Sequence, residues 1–72
     1  MTSNAHPLPA LPIVAEHRYC IAFTVEAPAW LAAVEAAGAM LRRDVHLIGV
    51  HEVTRYPDTD TWRVVLKVWE AA

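Results

Sequence analysis

Apolar and polar residues alternate from Arg18 to Glu26: Tyr19, Ile21, Phe23 and Val25 take one side, and Cys20, Ala22 and Thr24 the other. A period of two is what a strand with unlike faces requires, so this run predicts a first β-strand. It stops at Ala27-Pro28, and Pro28 suits the first turn of a helix, where its missing N–H costs nothing. Alanine at 29, 32, 33, 36, 37 and 39, with Arg42 and Arg43 at the end that favours cations, predicts a helix over 28–43, interrupted only by Gly38. The β-branched stretch over 45–54 predicts a second strand. Its alternation is imperfect, because Leu47 and Ile48 are adjacent and Gly49 follows, which predicts a bulge or kink there. Tyr56-Pro57-Asp58-Thr59-Asp60 has the chemistry of a turn. Trp62, Val64, Leu66 and Val68 then alternate with Arg63, Val65, Lys67 and Trp69 as a third strand.

The order is β-α-β-β, an α+β fold with a three-stranded sheet and one helix packed on one face. Pro7, Pro9 and Pro12 fix φ and remove backbone donors, so residues 1–17 read as a proline-containing N-terminal arm. The remainder, 18–72, is a single β-α-β-β domain. A chain of 72 residues has room for one small core and no second domain.

With Tyr19, Ile21, Phe23, Val25, Trp62, Val64, Leu66 and Val68 turned to the helix, one core layer is complete. The other sheet face then carries Cys20, Ala22, Thr24, Val65 and Trp69 among Arg18, Arg63 and Lys67, too apolar a mixture for simple solvation. The helix carries only Glu35 as a charge before Arg42, and Ala29, Ala33 and Ala37 would let another backbone approach closely. So small a domain without disulfides or metal commonly gains stability by association. A homo-oligomer is therefore expected, with Trp69, Val65, Ala33 and Ala37 at its interface.

Hydrophobic residues make up 56% of the chain and charged residues 19%, which is unlike a disordered sequence. Six Lys and Arg against eight Asp and Glu give a net charge of −2, which argues against nucleic acid as a partner. No apolar run is long enough to span a membrane, and the lone Cys20 suits a reducing compartment, so a cytoplasmic location is expected. His46 and His51 lie five apart, on opposite faces of a strand unless a bulge resets the phase, so no metal site is expected of them. Asp58 and Asp60 read as turn residues, and Cys20 as a small buried hydrophobe. No phosphate loop, nucleophile elbow or Cys-x-x-Cys is present, and no catalytic residue is assigned. Three tryptophans in so short a chain are the stronger signal, because indoles anchor interfaces or stack on flat ligands. Trp69 falls on the face away from the helix, whereas Trp30 and Trp62 are expected in or near the core.

The β-α-β-β order, the Pro28-Ala29-Trp30 helix start and the closing Trp62-Arg63-Val64-Val65-Leu66-Lys67-Val68 strand resemble dodecins, small flavin-binding proteins that assemble as hollow dodecamers. The resemblance runs from Tyr19 to Glu70 and implies a flavin store or carrier, with Trp69, Trp62 and Trp30 as the cofactor-binding residues. The hairpin is shorter than in that family, the proline-containing arm is additional, and the second strand has no tryptophan where dodecins stack the isoalloxazine ring. A half-ferredoxin-like subunit that pairs its sheet across a dimer accounts for the same elements. The residues by themselves imply no cofactor. They favour a small non-enzymatic homo-oligomeric binding or assembly module that engages a protein partner or a small aromatic ligand.

Overall fold

The computed structural model describes residues 16–71. Four elements follow one another: strand β1 (Glu16–Glu26), helix α1 (Trp30–Ala39), strand β2 (Val45–Arg55) and strand β3 (Thr61–Ala71). The sheet has the order β1-β3-β2, and β3 pairs antiparallel with both neighbours. The outer strands therefore run parallel to each other with β3 between them, and α1 connects them across one face. The expected α+β architecture is the one observed.

Register explains the layers. Tyr19 pairs with Val68, Ile21 with Leu66 and Phe23 with Val64, so the first strand's apolar set shares a face with that of the third. Val64, Leu66 and Val68 are fully buried under α1, joined by Val25, Ala27, Val45, Ala33 and Ala37. β1 begins two residues before the alternating pattern, since Glu16 pairs with Ala71 and His17 with Glu70. Both fall within the expected arm but belong to the strand. Their backbones extend the ladder although they add no apolar position; the rest of that arm lies outside the described residues.

The helix is shorter than its alanine pattern. Ala29 is extended, with φ −154° and ψ 163°, so the first helical bond runs from the Ala33 N–H to the Ala29 carbonyl at 3.0 Å. At the other end the Met40 and Leu41 N–H groups donate to Ala37 and Gly38, tightening the last turn and stopping propagation before Arg42. The Ala27 N–H donates to the Asp60 carbonyl at 2.9 Å, while Trp62 Nε1 donates to the Ala27 carbonyl at 2.8 Å, fastening the end of β1 to the hairpin. Asp58, with φ 59°, turns that hairpin through the left-handed region that aspartate tolerates.

The bulge expected near Gly49 is present, and a second one follows it. Register shifts occur between Leu47 and Gly49 and between Val50 and Glu52. Each extra residue reverses which face the strand presents. Thus between the two shifts Val50 opposes Leu66 on the helix side and Gly49 opposes Lys67 on the open side, and the strand has one and the same phase on either side of the pair, with His46 opposite Trp69 before it and Glu52 opposite Val65 after it.

Candidate binding surfaces

The sheet face away from the helix is arranged in rows across the three strands. Arg18, Trp69 and His46 form one row, Cys20, Lys67 and Gly49 the next, then Ala22, Val65 and Glu52, and last Thr24, Arg63 and Thr54. The last two rows hold a polar group of their own: Glu52 accepts from Thr54 Oγ1 at 3.0 Å and lies 3.6 Å from Arg63 Nε. In the first row the His46 and Trp69 rings stack with centroids 4.5 Å apart and planes 23° from parallel. Beside that stacked pair lies an open groove of about 390 Å³ lined by Arg18, Tyr19, Cys20, Ile48, Lys67 and Val68. Cys20, which lines it, has a short side chain, and Gly49, opposite Lys67 on β2, has none. A Cβ placed on Gly49 would meet nothing within 4 Å.

The helix side presents a different surface. Trp30 and Leu31 at the start of α1 and Met40 at its end are 60%, 56% and 55% exposed. On the adjoining edge strand, Leu47 and Val50 oppose the buried Val68 and Leu66, so they belong to the helix-facing layer, yet α1 leaves both exposed. The helix is ten residues long and packs on all three strands, with Val45 of β2 in the core and Val53 against it, but it does not reach over Leu47 and Val50.

A chain of polar groups closes the end of this layer. The Tyr19 hydroxyl donates to Glu70 Oε1 at 3.0 Å, and Arg42 donates to Glu70 Oε2 at 2.7 Å while its Nε lies 3.6 Å from Asp44. Removal of the phenol from solvent, then the bond to Glu70, raises the Tyr19 pKa above its ordinary value.

No family model, curated protein or solved structure matches this chain. Its surfaces must be read from their own chemistry.

The structure separates the residues singled out in the sequence. Ala33 and Ala37, expected at a subunit contact, are at 0% exposure inside the helix–sheet core, already covered within one chain. Val65 lies on the open face as expected but is already 6% exposed within one chain, so an added partner gains little from it. Trp69 is half-buried against His46. The three tryptophans do not converge: Trp62 is on the helix side and bonded to Ala27, Trp30 is exposed at the start of α1, and Trp69 is on the opposite face of the sheet. Trp30 is not near the core because it occupies the first helical position, beyond the sheet's cover. Cys20 is exposed, since nothing among the described residues forms a second layer over its face. Among the described residues no three His, Cys, Asp or Glu side chains are grouped to hold a metal ion, and no helix is long and apolar enough to cross a membrane.

Two features escaped the sequence reading. Ile48 was visible only as a break in alternation, whereas the bulge places it in the groove. His46 had no evident partner, because its pairing with Trp69 depends on both register shifts.

Proposed function

We propose that the protein is a small self-assembling binding module, in which a second copy covers the helix-side surface of Trp30, Leu31, Met40, Leu47 and Val50. The observation that carries this reading is the exposure of those five side chains, each between 44% and 60%, on one side of the domain. Apolar surface of this kind, contiguous with a core, marks association sites. The core itself is slight: its largest fully buried side chains are Leu66, Val64 and Val68. A domain with so few large buried groups lies where association commonly supplies the missing stability. Twofold pairing through one surface would also use every apolar residue twice.

Native mass spectrometry of the full chain, repeated by sedimentation velocity over a range of concentrations, tests the reading. An assembly of two or more copies without a retained small molecule is expected. A monomer at every concentration would overturn it, and a retained flavin mass would replace it with the carrier role that the dodecin resemblance implies.

A further inference from the structure

We infer that the outer edge of β1 pairs antiparallel with the same edge of a second copy, about a twofold axis at Ala22, joining two three-stranded sheets into one continuous sheet. The contact is separate from the helix-side surface and does not rest on it, because Leu47 and Val50 belong to β2, the strand at the other edge of the sheet. Three observations converge on it. The first is the contrast between the two edges. β1 and β2 are both 11 residues long, and each has one side with no strand beside it among the described residues. β2 carries two register shifts and a glycine, and bulges of this kind keep an edge from pairing. The β1 ladder runs from Glu16 to Glu26 without a shift and without Pro, Gly or Lys. Residues 19–25 carry no charge and are rich in β-branched and aromatic side chains, the composition of a segment that adds to another sheet.

The second is an unfinished layer. Val64, Leu66 and Val68 are fully buried, yet their β1 partners Phe23, Ile21 and Tyr19, packed against the same core, are only half-buried. A neighbouring β1 would continue that layer. The third is self-complementarity. Under a twofold axis each residue meets the one equally far beyond the axis, so opposed residues share a face of the joined sheet. With the axis at Ala22, Tyr19 meets Val25 and Ile21 meets Phe23 on the helix side, while Cys20 meets Thr24 on the open side. Every helix-side pair is then apolar, no like charges meet, and residues 18–26 of both strands form about eight backbone hydrogen bonds. An axis at Ile21 sets Glu16 against Glu26, and one at Cys20 sets His17 against Phe23, pairings that weaken a ladder.

The test is disulfide cross-linking of the full-length protein, with Cys20→Ser/Ala22→Cys as the reporter. Cysteines at the axis lie directly opposite and within disulfide reach, whereas the native Cys20 and its copy are about four residues out of register, roughly 14 Å apart. On mild oxidation the double variant is expected to become a linked dimer and the wild type to remain a single chain. In hydrogen exchange, the β1 amides directed away from β3 should gain protection as concentration rises. Ala22→Lys sets two cations against each other at the axis and should raise the dissociation constant for this contact about fivefold, while Ala22→Thr should not. Ala22 is exposed, so neither change disturbs the core. Cross-linking of the wild type as readily as the double variant, or no cross-linking of either, would overturn the inference. Protection of the same amides in a monomer at every concentration would assign the edge to the chain's own residues 1–15 and would also overturn it. Trp30→Ala should weaken the helix-side contact and leave the Ala22→Cys disulfide in place, so failure here and failure of helix-side assembly are separately visible.

Discussion

Replacing Trp30 with alanine tests the helix-side contact at its most exposed residue. Trp30 retains 60% of its surface in solvent, on the order of 150 Å² for a side chain of this size. At ~25 cal/mol per Å², covering half of that area stabilises each copy by about 2 kcal/mol. A twofold pair uses the residue twice, so Trp30→Ala is expected to cost about 4 kcal/mol of association, a rise in dissociation constant of about a thousandfold. The fold should survive, since alanine is the better helix former and Trp30 is not part of the core. Sedimentation equilibrium on wild type and variant measures the change, with far-ultraviolet circular dichroism verifying that both are folded. A dissociation constant altered by less than about threefold would refute the assignment of Trp30 to a contact.

Two further perturbations address the domain itself. Ala37→Leu adds three carbons where exposure is already 0%, so a loss of about 1–3 kcal/mol is expected in urea unfolding; an unchanged midpoint would show that the helix does not sit as closely on β3 as described. Tyr19 has a pKa raised by burial and by its bond to Glu70, so the folded state holds that proton more tightly than the unfolded chain. The stability it contributes is full below the ordinary phenol value and is lost as pH rises through the folded value. Unfolding from neutral to strongly alkaline pH should therefore show a steeper alkaline loss in wild type than in Tyr19→Phe, and parallel curves would refute the linkage.

β1 and β3 were legible because each faces the helix with large apolar residues on every second position, as in Tyr19, Ile21, Phe23 and Val25, and β2 was legible by its β-branched composition. The helix was legible as an element but not in orientation. Its alanines are equivalent as helix formers, and only close approach to β3 distinguishes Ala33 and Ala37 from Ala39, which stays exposed. Cys20 could not be placed by pattern, since alternation assigns a face without saying whether anything covers it. The groove was beyond reach for a related reason: Arg18, Ile48 and Lys67 come from three strands, and their meeting depends on β3 lying centrally and on where β2 bulges.

Those paired bulges give β2 an arithmetic of its own. Beyond Arg55 opposite Trp62, an uninterrupted ladder would bring His46 to Ala71, but the two extra residues bring it to Trp69. Parity is preserved only because the extras number two. Loss of one residue from either bulge would turn the distal part of the strand over, burying His46 and expelling Val45, whereas loss of one from each would slide the ladder and keep both faces intact. Odd and even changes of length in this strand are therefore not degrees of one injury: one inverts a surface, and the other merely shortens it.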